Sequence, residues 1–295
     1  MPMRPEVVLP HDSAPHVGRR AVLVSLLSTG ACLFSTNSSK AAASAQDLFA
    51  KAAKGSSKTI DHSAWDQLLK AYVKPNADGI NRFDYKGLKA RGLASLSAYI
   101  ARLEAADVSQ LDRPEQFALL ANLYNAKTIE IVAGRYPVKS IKDISLGGGL
   151  VAAVTGGPWK AKVTKIQGVS LSLDEIEHDI LRALFKDPRV HYAVNCASIG
   201  CPNLATDALT GAKLDALLDA GARAYINHPR GFSAKGGELV SSSIYSWFKA
   251  DFGGTDQGVL EHARKYAEPA LAAKLAKATK IDSHTYDWLL NDINA

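Results

Sequence analysis

Residues 112–137 constrain the fold more than any other stretch of the chain. Asp112-x-x-Glu115 reads as a helix-capping box, Pro114 suits a first helical turn, and Gly134 followed by Pro137 ends the segment. Between those marks Phe117, Leu120, Tyr124 and Ile131 recur on one helical face, while Ala118, Ile129 and Val132 form a second apolar flank. Asn122 and Asn125 fall on that second flank. Asn is a poor helix former, and a buried amide without partners costs about 1–3 kcal/mol, so each must find backbone, water or ligand. Either they pin a neighbouring loop or they position a substrate.

The flanking segments point to a helix-rich α+β fold. His62 to Tyr72 is helix-like, with Trp65, Leu68, Leu69 and Tyr72 at helical spacing, and a second helix is expected over about 85–105. Trp159 to Leu171 reads as two short strands around Gln167-Gly168, Ser172-x-x-Glu175 caps the next helix, and Val190 to Val194 reads as a buried strand. A helix near 213–227, a hairpin around Lys235-Gly236-Gly237, a helix near 244–252, two short helices and an extended piece near 280–283 complete the pattern. Strands and helices do not alternate strictly, so the expectation is α+β: one helix-rich domain over 61–295 with a small mixed or antiparallel sheet and hairpins, not a doubly wound sheet.

The first 45 residues read as a removable signal peptide. Gly18-Arg19-Arg20 precedes an apolar segment from Ala21 to Phe34, and small residues run to Ala43-Ser44-Ala45 before Gln46, where cleavage is expected. The arginine pair suggests twin-arginine export, with the general secretory route as the alternative, and hence a periplasmic or secreted protein. Thr29-Gly30-Ala31-Cys32 is a poor lipoprotein signal because Thr29 stands where an aliphatic residue is expected. The apolar segment is rich in Ser, Thr and Gly, and no later run approaches the roughly 18 apolar residues of a membrane span. Residues 46–60, rich in Ala, Lys and Ser, read as a flexible arm. The formal charge is +6, of which the leader carries +2, and in the remainder Lys and Arg alternate with Asp and Glu. Nucleic acid is therefore excluded as a partner, since counterion release needs a basic patch. An unidentified small molecule or protein is left.

Chemistry concentrates in two places. On the capped helix Glu177 falls among Leu173, Ile180, Leu181 and Leu184, while His178 turns to a more polar side. An apolar flank raises a carboxyl pKa, which suits a general acid or base, whereas a basic partner would make Glu177 structural. The densest cluster is His191 to Pro202, containing Asn195, Cys196 and Cys201. It invites a Cys196 nucleophile, but an extended 190–195 would hold His191 about 16 Å from the thiol, so His178 is the first candidate base. The same distance, and a lone Cys-x4-Cys, argue against a metal. The competing structural reading is a Cys196–Cys201 disulfide across a turn set by Gly200 and Pro202, since removal of Cys32 would leave these two as the only pair in an oxidising compartment. Tyr245, Trp247, Phe248 and Phe252, with Tyr286 and Trp288, read as core rather than as a ligand groove. Gly147-Gly148-Gly149 lacks the lysine and the strand–helix context of a phosphate loop, so no nucleotide cofactor is expected.

Several motifs together resemble domain-of-unknown-function family 547 from about His62 onward. They are Asn122-Leu-Tyr-Asn125-Ala, Arg135-Tyr-Pro-Val-Lys-Ser, Leu173-Asp-Glu-Ile-Glu-His178, His191 to Pro202, Ser242-Ser-Ile with Trp247, and Asp251-Phe252. The resemblance implies a single domain often exported in bacteria and brings no reaction, substrate or cofactor. Its motif positions coincide with Asn122, Asn125, Glu177, His178, His191, Asn195, Cys196 and Cys201.

Three functional readings stay open. One is a hydrolase or transferase with Cys196 as nucleophile, His178 or His191 as base and Asn122, Asn125 and Asn195 positioning the substrate. Another is a non-catalytic binding or scaffold domain with the disulfide. The third is acid–base chemistry by Glu177 and a His, which requires a cleft holding both groups.

Overall fold

The computed structural model describes residues 45–146 and 157–294. The leader up to residue 44, with its arginine pair and Cys32, and Gly147-Gly148-Gly149 lie outside the described residues.

Helix α1 (45–50) leads into α2 (Ser63–Tyr72), a two-residue antiparallel pair β1 (Val73–Lys74) and β2 (Arg82–Phe83), α3 (Tyr85–Arg91), α4 (Leu93–Glu104) and α5 (Arg113–Arg135). The antiparallel hairpin β3 (Lys162–Ile166) and β4 (Val169–Ser172) precedes α6 (Glu175–Phe185) and a single turn α7 (Val190–Ala193). Then come α8 (Leu214–Ile226), β5 (Phe232–Lys235), β6 (Glu238–Ser242), α9 (Ile244–Trp247), a 3-10 turn Lys249–Phe252, α10 (Asp256–Tyr266), α11 (Pro269–Leu275) and β7 (Ser283–Thr285). The third sheet is mixed: β5 pairs antiparallel with β6, and β6 parallel with β7. This is the helix-rich α+β architecture with small sheets expected from the sequence.

Helix α5 is buried along most of its 23 residues, with Phe117, Leu120, Leu123 and Val132 inside one hydrophobic cluster that also collects α2, α3, α4, the β3–β4 hairpin and α6. A second cluster gathers Tyr225, Phe232, Ile244, Tyr245, Phe252, Leu260 and Leu275. The two cores are built differently, one round a long capped helix and the other from a small sheet and short helices.

Several local expectations change. The 46–60 segment is not loosely attached in the structure: Phe49 is fully buried, Gln46 Nε2 donates to the Asp179 carbonyl, and Gln116 Nε2 donates to that of Lys51. Only half of the first capping box forms. Asp112 accepts from the Glu115 amide, but the Glu115 carboxylate accepts instead from the amides of Ile60 and Gly211 at 2.7 Å each, fastening two loops to the start of α5. The Ser172–Glu175 box closes in both directions. The helix expected over 85–105 is two helices meeting at Gly92, and the strand expected over 190–194 is the turn α7. A short apolar run such as Val-His-Tyr-Ala-Val cannot be separated into strand or buried helix by periodicity alone.

Candidate functional site

A cavity of about 350 Å³ opens between the two cores. Tyr124 and Val194 of the first core and Ile244 of the second border it, with Glu177, His178, His191, Cys196 and Cys201 in its wall. Trp159, Trp247, Phe248, Tyr286 and Trp288 supply most of the remaining surface.

Helix α6 places the carboxyl and imidazole groups. It is wound as a π-helix, a form rare in proteins and frequent at functional sites, and it ends at Lys186 in the left-handed conformation (φ 53°). The wider winding turns the chain less per residue than an α-helix, so Glu177 and His178 both reach the cavity, although α-helical projection sends them to different sides. Glu177 is buried, and burial raises its carboxyl pKa against the opposing pull of His191, the Tyr124 hydroxyl and Arg182. Its Oε1 lies 4.0 Å from His191 Nδ1.

The other side of His191 is fixed from the second core. Its Nε2 is 2.6 Å from Asp251 Oδ2, and Arg182 grips the same carboxylate through Nε to Oδ2 (2.5 Å) and Nη2 to Oδ1 (3.0 Å). Burial opposes ionisation of Asp251, but the hydrogen bonds and charges of His191 and Arg182 prevail and hold its pKa well below the ordinary carboxylate range. Asp251 is then an acceptor only, so His191 Nε2–H is the donor, and Nδ1 presents its lone pair toward Glu177. The imidazole ring stacks on Phe248 with centroids 4.4 Å apart, which fixes its plane.

His178 is held differently. Its Nδ1 accepts from Arg182 Nη1 at 3.2 Å, its Nε2 is 3.9 Å from Asp174 Oδ1, and burial lowers its pKa. With Nδ1 occupied, this ring offers the cavity a donor rather than a base.

Cys196 and Cys201 are free thiols in the structure, with their sulfurs 2.8 Å apart. The Cys196 amide donates to Cys201 Sγ at 3.0 Å. Sharing a hydrogen bond with Cys201, together with burial, pushes the Cys196 thiol well above its ordinary pKa. Burial alone would push Cys201 up as well, but hydrogen bonds from the Cys196 thiol, the Tyr286 hydroxyl and the Cys196 amide bring it down. The sulfur favoured as thiolate is therefore Cys201, not the Cys196 that sequence spacing singles out as nucleophile.

The three Asn side chains do not reach the cavity wall. Asn122 Nδ2 donates to the Leu209 carbonyl and its Oδ1 accepts from the Leu209 amide. Asn125 spans Ala193 and Asn195 in the same two-way fashion, and Asn195 Nδ2 donates to Pro202 O while its Oδ1 accepts from Ala197 N. Each amide is satisfied by backbone, and Asn125 and Asn195 fix the course of the loop that carries both cysteines. Gly200 in that loop admits no side chain, because a Cβ would stand 2.8 Å from the Asp287 amide nitrogen where the C-terminal segment crosses.

Sequence reasoning missed Asp251 as a partner and misjudged part of the aromatic set. Tyr245 and Phe252 are core, but Trp247 is 43% exposed, and Trp247, Tyr286 and Trp288 cluster at the cavity with centroids 4.7–5.7 Å apart. Nothing local marks them, since Tyr286 and Trp288 reach the site on an irregular segment far along the chain. Among the described residues no three His, Cys, Asp or Glu side chains are grouped to hold a metal ion, and no helix is long and apolar enough to cross a membrane.

Fold and cavity together define a helix-rich α+β domain with a titratable, aromatic-walled pocket between two cores. Over residues 108–226, from the turn before α5 to the end of α8, the chain matches the family described as "Protein of unknown function, DUF547". The match is narrower than the resemblance read from about His62 onward, and Asp251, Trp247, Tyr286 and Trp288 lie beyond it. No curated protein and no solved structure matches the chain.

Proposed function

We propose that the protein is an exported hydrolase or transferase whose pocket works by acid–base catalysis, with Glu177 as proton donor and His191 as base. The observation that carries this reading is the linear arrangement Glu177–His191–Asp251–Arg182 opening on the cavity, in which one carboxyl is pushed toward neutrality and the other held ionised. Environments that separate two carboxyl pKa values assign an acid and a charge-stabilising group, and a histidine oriented by a carboxylate has one nitrogen free for proton transfer. A small substrate with a flat apolar part suits the Trp247, Tyr286 and Trp288 surface.

Residues 1–45 act on this reading as a removable leader, directing the protein to the periplasm or outside the cell by the twin-arginine or general secretory route. Support comes from the arginine pair, the apolar segment and the small residues before Gln46. The mass of protein recovered from the exported fraction, starting at Gln46 or not, decides it.

The catalytic reading is tested by screening esters, thioesters and amides with an aromatic or apolar group against wild type, Glu177→Gln and His191→Asn. Turnover by wild type that falls by at least about 100-fold in both variants, with circular dichroism unchanged, supports it. Unchanged turnover in either variant contradicts it. The second reading, a non-catalytic binding or scaffold domain with a Cys196–Cys201 disulfide, is favoured by the closeness of the two sulfurs; it predicts ligand binding that survives Glu177→Gln.

A further inference from the structure

The acid–base centre leaves the two cysteines unused, yet hydrogen bonds surround both sulfurs and the loop that joins them. Cys196 is partly exposed and Cys201 is buried, and both border the cavity. Around them, Ser198 Oγ and Tyr286 OH are 2.8 Å apart, and Cys196 Sγ lies 3.3 Å from the first and 3.1 Å from the second. The backbone between them is constrained from both cores. Asn195 ties Pro202 and Ala197 together, while Arg230 Nη1 donates to the carbonyls of Ile199 and Cys201 and Tyr225 OH donates to that of Gly200. Ala197 is held at φ 62°, a left-handed conformation that costs a residue with a side chain about 1–2 kcal/mol. Strain of this kind persists only where the surroundings enforce it, and here it brings the second sulfur back beside the first.

We propose that Cys196 and Cys201 form a redox-active dithiol that exchanges with small-molecule thiols and disulfides entering the cavity, with Cys196 as the sulfur that meets the incoming molecule and Cys201 as the resolving sulfur. In the oxidising direction Cys201 ionises first and its sulfur, 2.8 Å away, takes the Cys196 proton as Cys196 Sγ attacks a small disulfide RSSR; the RSSR sulfur–sulfur bond breaks, a mixed disulfide forms between Cys196 Sγ and SR, and one RS⁻ is released. Cys201 then attacks Cys196 Sγ, the sulfur–sulfur bond between Cys196 Sγ and the SR group breaks, and the second RS⁻ leaves. The protein dithiol loses two electrons, RSSR gains them, and the thiol protons depart with the two RSH formed. In reverse, a small thiolate attacks the partly exposed Cys196 side of the protein disulfide, and Cys201 leaves as the thiolate that the Cys196 amide and the Tyr286 hydroxyl stabilise. This activity is independent of Glu177 and of the acid–base reading.

The test uses the full-length protein in mixtures of reduced and oxidised glutathione, quenched by acid, alkylated and mapped by peptide mass. Wild type is expected to shift with the ratio between two alkylated and two protected sulfurs at Cys196 and Cys201, with little glutathione adduct. In Cys201→Ser the mixed disulfide cannot resolve, so a glutathione adduct on Cys196 accumulates about tenfold above wild type, while Cys196→Ser leaves the buried Cys201 largely unmodified. Cysteines that stay reduced at every ratio, or an adduct that accumulates on Cys201 and not on Cys196, overturn the proposal. Because the wild-type titration is read separately, poor folding of a variant does not decide the result.

Discussion

The two cores that enclose the cavity differ in how they are built and in what they contribute. The first is organised by α5, one capped 23-residue helix with apolar residues on nearly every side, and it supplies Glu177, His178, His191 and, through Asn125 and Asn195, the course of the cysteine loop. The second is assembled from a three-stranded sheet and helices of four to thirteen residues, and it supplies Asp251, the Trp247 and Tyr286 part of the aromatic surface and the clamps of Tyr225 and Arg230. The titratable groups come mainly from the side with the regular helix. Their protonation states depend on the other, since Asp251 selects the His191 tautomer and Tyr286 reaches the sulfurs. The site is complete only where the two cores meet.

The largest effect is expected from a change in the first core. Phe117→Ala removes a fully buried ring from the middle of the packing and is expected to lower unfolding free energy by about 3–5 kcal/mol, measured by urea denaturation. Asp251→Asn asks instead what the second core contributes across the seam. It leaves Arg182 without its carboxylate, with an expected loss of about 2–3 kcal/mol at neutral pH. The folded pKa of Asp251 is depressed, so its contribution is present above the unfolded carboxyl value and is lost as pH falls through the folded one. Stability curves of wild type and variant should therefore converge on acidification, and parallel curves would remove Asp251 from the account.

Asn125→Ala separates positioning from chemistry. It orphans the Ala193 carbonyl and the Asn195 amide, with an expected cost of about 1–3 kcal/mol and faster alkylation of Cys196 as its loop loosens. The smallest effect is expected from Glu177→Gln. The folded pKa of Glu177 is raised, so the folded protein binds more protons than the unfolded chain between the two values, and stability falls as pH rises through that window. The variant escapes this loss and should equal or exceed wild type at pH 7, by at most about 1 kcal/mol, while losing the advantage below the unfolded value.

The difference between the cores also decides what the sequence made legible. Helix α5, the Ser172–Glu175 cap and both glycine-containing hairpin turns are local patterns, and they form where caps and periodicity put them. Glu177 was marked by its apolar neighbours, and its burial and raised pKa follow from the same cause. The π winding of α6 was hidden because its hydrophobic spacing also suits an α-helix. The turn α7 was hidden by an apolar run too short to arbitrate, and with it went the distance argument that kept His191 away from the cysteines. Asp251 meets His191 across 60 residues of chain, a separation over which periodicity says nothing, and only its place in a motif pointed to it.

On the proposed acid–base reading Glu177 is a proton donor tuned by burial and by a histidine held from the opposite core. Its carboxyl can be followed directly by carbon NMR on glutamate-labelled protein titrated from acid to alkaline pH, with Glu177→Gln assigning the resonance. A midpoint clearly above the ordinary glutamate value of about 4.3, which moves when Asp251→Asn frees His191, is the predicted result. A midpoint at or below the ordinary value, indifferent to Asp251, would rule out Glu177 as the proton donor.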